Sequence, residues 1–352
     1  MPVSSAQLIA GANYQLMENA KGDPVDQITA ARPFTKWLVE HKVPSIFGNG
    51  IFNEKVRFTN DSNYQNYTGD QQVTYNRKDT ARLAPFQHYE AHDGFTLNET
   101  ELANNGVVMT DDNTSVMTEA EQIQIVSKLN EGYETLKEGF QQNWDLEVHQ
   151  DGSQSTLAVP GLDLLVSTTP TTGTVGGIDA SASPYWRNNA SMAISTASAG
   201  TLTSQMEIMW RACTKFGGMP PDAIFCGSAF LDAYRQDAPL QVNRQQQVGA
   251  GGNKGYSVNN GSDSIRFKNV ELIWDPSFDA LDALLGAITY PWAKRCYFLQ
   301  SKSLKLRPFK GRWMVSRKPS RVYDRYTHYF GLTADYGLTI NKRNNQAVLS
   351  IA

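Results

Sequence analysis

The segment Thr171 to Ser191, TTGTVGGIDASASPYWRNNAS, holds a glycine pair, Gly176–Gly177, followed by Tyr185-Trp186-Arg187-Asn188. Glycine pairs let the backbone turn where a Cβ would clash. A Trp beside an Arg offers a large apolar face and a planar cation, two residue types enriched at protein–protein hot spots. The stretch contains no nucleophile–base pair and no cluster of metal ligands. Taken alone, its composition is that of a surface loop with a half-buried aromatic. Its surroundings change that reading.

The chain has 352 residues, of which 40% are hydrophobic and 19% charged, with a net charge of −3. This length allows one large domain or two to three modest ones. Abundant Asn, Gln, Ser and Thr suit extended arms and polar interfaces better than a single deep core. A near-neutral chain is not a general electrostatic trap for nucleic acid or acidic lipid. No apolar run approaches the ~20 residues that span a bilayer. The first residues lack the basic and apolar regions of a signal peptide. Cys213, Cys226 and Cys296 are far apart, odd in number and set in apolar neighbourhoods. They read as buried, reduced thiols.

Residues 1–46 mix short helical patches with Gly, Pro and Asn, and form an arm that packs on something else; Pro33 to Val43 reads as a short helix with Pro at its start. From about 50 to 95, aromatic and β-branched residues lie among charges and amides, with a turn at Thr68-Gly69-Asp70. This predicts a long polar hairpin. Such a hairpin is marginal alone in water, so it is expected to lie on a neighbour. A capping box opens at Thr118, and Val126, Leu129, Tyr133, Leu136, Phe140 and Trp144 then recur at helical spacing. A helix over 118–145 would be roughly 40 Å long. Its other face carries Glu119, Glu121, Glu131, Glu134, Glu138 and Asp145, either a solvated face or an acidic spine for basic partners. Further on, the pattern predicts a helix over 202–216 with Met206, Met209, Trp210 and Cys213 inward, a buried strand at 223–226, and a helix from Ser228, the N-cap, to Arg235. Strands follow over 264–274, 293–299, 303–308, 312–315, 331–340 and 347–351. Helices and strands do not alternate as βαβ units, so the fold class is α+β.

Several motifs invite chemistry without sustaining it. GAGGNKG at 249–255 misses the P-loop spacing, and Lys254 occupies the third glycine position of GxGxxG. His88, Glu90 and His92 share one strand face, but no clear fourth zinc ligand accompanies them; a polar, proton-sensitive face is the other reading. Gly227-Ser228-Ala229-Phe230 is not a GxSxG elbow, and no carboxylate pair or triad is evident. No cofactor, metal or catalytic residue is assigned. Lys302 to Arg325 is rich in Lys and Arg with interleaved Phe309, Trp313 and Tyr323. Aromatic–basic stretches can bind single strands; here strand periodicity and a supply of acid elsewhere, for instance the 118–145 helix, favour an intersubunit surface.

In order, these elements resemble the major capsid proteins of tailed bacteriophages, whose fold is shared by herpesvirus shells and encapsulins. The residues that carry the resemblance are Gly161-Leu162-Asp163-Leu164-Leu165, Thr172 to Asp179 with Trp186-Arg187-Asn188, Phe267 to Pro276, Tyr297-Phe298-Leu299, and the closing Tyr336 to Asn344. The resemblance implies an N-terminal arm (1–46), an extended loop (47–95), a peripheral domain (96–157 and 290–352) and an axial domain (158–289). It implies a non-enzymatic subunit that self-assembles into hexamers and pentamers of an icosahedral phage head around double-stranded DNA, bound on the inner face without sequence specificity. Implied partners are a separate scaffolding protein, a portal and decoration proteins, with no membrane; the implied location is the virion, after assembly in the bacterial cytoplasm. Some relatives cross-link a loop lysine, but no motif assigns a partner to Lys55 or Lys78. Expected assembly residues are Arg57, Arg77 and Lys78 in the hairpin, Trp186 and Arg187 in the glycine-pair loop, and Arg307, Arg312 and Arg317 in the basic strands. An encapsulin-type shell is the rival within the fold; a glycan-binding or glycan-cleaving β-rich protein is the rival outside it. Trp186→Ala is expected to harm assembly more than loss of any surface Tyr in the hairpin.

Overall fold

The computed structural model describes residues 30–45, 50–100, 119–198, 200–216, 219–236, 265–286, 288–317 and 327–352. Thr118, which opens the capping box, the side chains of 119–129, the glycine loop at 249–255, the basic residues of 318–326 and most of the arm lie outside these.

The first elements in chain order are α1 (Pro33–Glu40), β1 (Ile51–Arg57), β2 (Ala81–Gln87), β3 (Tyr89–Asn98), α2 (Glu119–His149) and α3 (Leu162–Leu165). Then come β4 (Thr174–Val175), β5 (Ile178–Asp179), β6 (Asn189–Ile194), α4 (Thr201–Thr214), β7 (Ala223–Cys226) and α5 (Ser228–Gln236). The chain continues with β8 (Ile265–Phe267), β9 (Val270–Trp274), α6 (Pro276–Leu285), β10 (Arg295–Leu299), β11 (Leu304–Pro308), β12 (Val315–Arg317), β13 (Thr327–Ile340) and β14 (Ala347–Ile351). The architecture is α+β, as the sequence predicts. Two compact units emerge. One is built on Glu90–Trp144 and Gly311–Asp335, the other on Ala31–Tyr89, Asp145–Lys310 and Tyr336–Ala352.

The larger unit is centred on a six-stranded sheet of order β6-β14-β10-β7-β9-β8. β10 runs antiparallel to both β14 and β7, while β6–β14 and β7–β9 are parallel pairs. Every residue of β7, β10 and β14 is buried. Cover on both faces explains why these segments read as near-continuous apolar runs without alternation. Met206 and Cys213 of α4, Phe230 and Tyr234 of α5, and Phe267, Leu272 and Phe298 of the sheet form the core, with Met209 and Trp210 packed against it. The three cysteines are buried and free, as expected.

The segment 264–274, expected as one strand, is instead the hairpin β8–β9. Its turn residues Lys268 and Asn269 take φ of 47° and 69°, the two-residue left-handed turn that matches the twist of paired strands. The cap of α5 also differs from expectation. Leu231 N donates to Gly227 O, which makes Gly227 the cap residue, and Ser228 Oγ donates to Asp279 Oδ1 at 2.7 Å. A Cβ on Gly227 would lie 2.4 Å from the Ala293 carbonyl oxygen. Gly227→Ala is therefore expected to cost about 1–3 kcal/mol by overpacking, read as a lower denaturant midpoint.

The β1–β2 hairpin is antiparallel, with Ile51 opposite Gln87 and Arg57 opposite Ala81. Residues 58–80 between the strands are irregular apart from a turn at Gly69, where Gln71 N donates to Thr68 O. The strands are thus shorter, and the tip longer, than the sequence pattern suggests. The reason lies in burial: Val56, Ala84 and Phe86 near the root are buried, whereas Tyr64, Tyr67 and Tyr75 are 86%, 67% and 90% exposed.

In the smaller unit β3 and β12 flank β13, with Val315 opposite Thr333. Phe95 stacks on Phe330 at 5.1 Å, Tyr133 stands edge-on to both, and Trp144 meets Trp313 at 5.3 Å. Leu136, Phe140 and Trp144 are buried, the later part of the helical stripe read from the sequence; the side chains of Val126 and Leu129 lie outside the described residues. α2 runs 31 residues to His149, one turn beyond the expected end. One residue of its acidic face departs from expectation: Asp145 is 2% exposed, for a reason given below.

Candidate assembly interface

The glycine-pair loop is a folded module within the larger unit. β4 and β5 pair with Val175 opposite Ile178, and Gly176 and Gly177 turn between them at φ of 56° and 67°. A Cβ on Gly176 would stand 3.0 Å from both Ala84 Cβ and Phe86 Cζ, so the second function of this glycine is to let the turn press onto β2. Trp186 is 1% exposed, and its Nε1 donates to Val175 O at 2.8 Å. Arg187 closes the loop on itself, with Nε donating to Ala180 O at 2.7 Å and Nη2 to Ser181 O at 2.8 Å. The Asn188 side-chain amide clasps the Ser167 backbone: Oδ1 accepts from Ser167 N and Nδ2 donates to Ser167 O.

The loop is held from behind by Arg343, a residue that sequence reasoning does not single out. Its guanidinium is buried and donates to Leu165 O at 2.9 Å, Trp186 O at 2.9 Å, Leu164 O at 3.4 Å and Asn188 Oδ1 at 3.1 Å. Burial lowers the Arg343 pKa to about 10, which still leaves it charged at neutral pH. A second buried cation, Arg295, pairs with Asp163 at 2.9 Å, donates to Tyr290 O and lies 4.2 Å over the Trp292 ring. Burial lifts the Asp163 carboxyl above its ordinary range despite the Arg295 charge. Arg343 stands in polar company in the sequence, Lys-Arg-Asn-Asn, and Arg295 follows a lysine, Ala-Lys-Arg-Cys; neither was separated from solvated arginines.

The expected assembly residues fall into two groups. Arg57 and Arg77 are exposed, and Lys78 forms a surface pair with Asp61 at 3.0 Å. Trp186, Arg187 and the three basic-strand arginines also bond within the subunit. Arg307 Nη2 lies 2.6 Å from Glu54 Oε1, which also accepts from Thr339 Oγ1 at 3.1 Å. Arg312 Nε meets Asp335 at 2.8 Å, and Arg317 Nε donates to Thr333 Oγ1 at 3.0 Å. Within the subunit Arg307 and Arg312 meet acid from β1 and β13, and Arg317 meets a hydroxyl. The Glu54–Arg307 pair also seats the hairpin root, and Phe52 lies where a Cβ on Gly337 would come within 2.8 Å of its ring.

His88 packs between the rings of Phe52 and Phe309, while Glu90 lies 3.9 Å from Arg312. Among the described residues no three His, Cys, Asp or Glu side chains are placed to hold a metal ion, and no helix is long and apolar enough to cross a membrane.

No family model matches this chain, and no curated protein does. Solved structures do. The capsid asymmetric unit of cyanophage A-1(L) superposes with a TM-score of 0.60 at 14% identity, covering 96% of this chain and 98% of that one. The capsid of Myoviridae phage XM1 gives 0.55 at 11% identity over 95% and 98%. The capsid of the native GTA particle gives 0.51 at 10% identity over 95% and 96%. Over nearly its whole length, the chain has the fold of tailed-phage capsid proteins.

Proposed function

We propose that this chain is a major capsid subunit, a structural protein without enzymatic activity. The observation that carries this reading is the shared fold over 96% of this chain and 98% of a phage capsid chain. Copies assemble into hexamers and pentamers of an icosahedral head that encloses double-stranded DNA. On this reading 1–46 is the arm, 47–95 the extended loop, 96–157 with 290–352 the peripheral domain, and 158–289 the axial domain. A net charge of −3 suits an inner wall that holds packaged DNA without sequence preference. The proposed partners are a separate scaffolding protein, a portal and decoration proteins, and the proposed site of assembly is the host cytoplasm.

The hairpin tip supports the reading. Tyr64, Tyr67 and Tyr75 are exposed, as are Arg57 and Arg77 of the same hairpin. Tyrosine and arginine are enriched at interface centres, and a neighbouring copy covers them in the shell. Trp186 and Arg187 act at one remove, by fixing the loop beneath the hairpin root. Electron microscopy of the expressed chain, with a scaffolding partner supplied, tests the proposal; a chain that stays monomeric in every such mixture overturns it. The double variant Arg57→Glu/Arg77→Glu is expected to abolish shells while shifting subunit stability by no more than about 0.5 kcal/mol.

A further inference from the structure

Three segments of the larger unit bury a cluster of charge that shell assembly does not call for. His149 and Asp275 are fully buried and Asp145 is 2% exposed. His149 ends α2 and Asp275 caps α6, where its Oδ1 accepts from Ser277 N at 3.0 Å. Ser277 Oγ in turn donates to Asp145 Oδ2, which is why Asp145 leaves the acidic face of its helix. α1 closes the cluster. The Phe34 ring lies 4.7 Å from the imidazole, and the Thr35 hydroxyl faces the Asp145 carboxyl. Phe34 and Trp37 also stand edge-on to Phe225 at 5.5 and 5.8 Å.

The ring geometry selects the charged imidazole. Nδ1 lies 2.6 Å from the Asp145 carbonyl oxygen, which can only accept, so Nδ1 carries a proton. Nε2 lies 3.3 Å from Asp275 Oδ2. In the neutral ring Nε2 would turn a lone pair toward a carboxylate in a dry site, where such repulsion is strong. The contact lacks an aligned hydrogen bond, so charge rather than bond geometry holds it. The groups facing His149 are Asp145 from α2, Asp275, Ser277 and Phe278 from α6, Phe34 and Thr35 from α1, and Trp292. Cys226 of β7 lies near Asp275, and burial pushes its thiol up to about 12, so it remains neutral across the range considered.

We propose that this cluster is a proton-dependent latch: protonated His149 holds α1 against the ends of α2 and α6, and loss of that proton releases α1. Burial alone would push the imidazole pKa down, but the Asp275 carboxylate, the Asp145 charge and the Asp145 carbonyl outweigh it and raise it to about 9. The stabilisation from a raised histidine is complete below its ordinary value of 6.5 and is lost as the pH climbs through 9. In that window docking weakens by up to about tenfold per pH unit. Asp145 works in the same sense, because burial raises its carboxyl above the ordinary range and places its stabilisation on the acid side. The latch goes beyond the capsid reading and stands whether or not shells form.

Amide hydrogen exchange on the full, unassembled chain from pH 6 to 10, corrected for intrinsic rates, tests it. Protection of 33–40 is expected to fall at least about tenfold between pH 7 and 9, while β10 and β14 keep theirs. Asp275→Asn retains a good helix cap and removes the carboxylate, so the midpoint of that fall is expected to move at least about one pH unit lower. Protection of α1 that is constant to pH 10, that falls only in step with β10 and β14, or that keeps its midpoint in Asp275→Asn overturns the proposal.

Discussion

Replacing Arg343 with methionine is expected to leave most of the chain insoluble, or to lower the stability of the soluble fraction by about 3–5 kcal/mol. The side chain is 1% exposed. Its guanidinium serves three carbonyls and the Asn188 amide oxygen at 2.9 to 3.4 Å. Methionine fills the volume but withdraws the guanidinium donors from the three carbonyls, leaving Asn188 Oδ1 only Ser167 N, and each orphaned buried acceptor costs about 1–3 kcal/mol. The damage spreads because the acceptors belong to α3 and to the glycine-pair loop, which Arg343 ties to the approach to β14. Arg343→Lys keeps the charge, but a single ammonium cannot span acceptors that a planar fork reaches. It should recover part of the loss and not all. Denaturant melts of the three proteins measure this, and an Arg343→Met midpoint within about 1 kcal/mol of the parent chain would falsify the role given to the guanidinium.

Trp186→Ala is expected to cost about 3–5 kcal/mol, the range for truncating a buried Trp. The indole is 1% exposed, and its loss also strips the Val175 carbonyl of its donor at 2.8 Å. The effect should therefore appear first in the melt of the isolated subunit, with loss of shells following from loss of the folded loop. The hairpin tyrosines behave in the opposite way. Tyr64→Ala and Tyr75→Ala remove side chains that are 86% and 90% exposed, so subunit melts should stay within about 0.5 kcal/mol while shell yield drops. A melt of Trp186→Ala that matches the parent, with shells still lost, would move the indole from the core to an intersubunit contact.

The same contrast shows how far the sequence could be read. The stripe Tyr133, Leu136, Phe140 and Trp144 lies at helical spacing, and its buried side faces Phe95, Phe330 and Trp313 as the spacing requires. β7, β10 and β14 were legible as strands, β7 as a buried one. The Gly176–Gly177 turn was legible too, because positive φ favours glycine. Asp145 was not: it continues the acidic stripe of its helix, and Ser277, 132 positions away, with Thr35 of α1, draws it inward. Nor was the hairpin's true pairing, since residues 58–80 carry the same mix of aromatic and polar residues as the strands beside them.

Much of the helix and strand identity and the Gly176–Gly177 turn follow from the sequence by itself, because periodicity and backbone freedom act over a few residues; α6, β6 and the β8–β9 turn were not read from it. The tertiary structure decides which charges are buried and with whom they pair. Arg343 meets Asn188 across 155 positions, and Arg307 meets Glu54 across 253. A charged side chain carries one identity in the sequence whether water or a buried carbonyl receives it; the choice is made by desolvation and partner geometry, and those exist only once distant segments have come together.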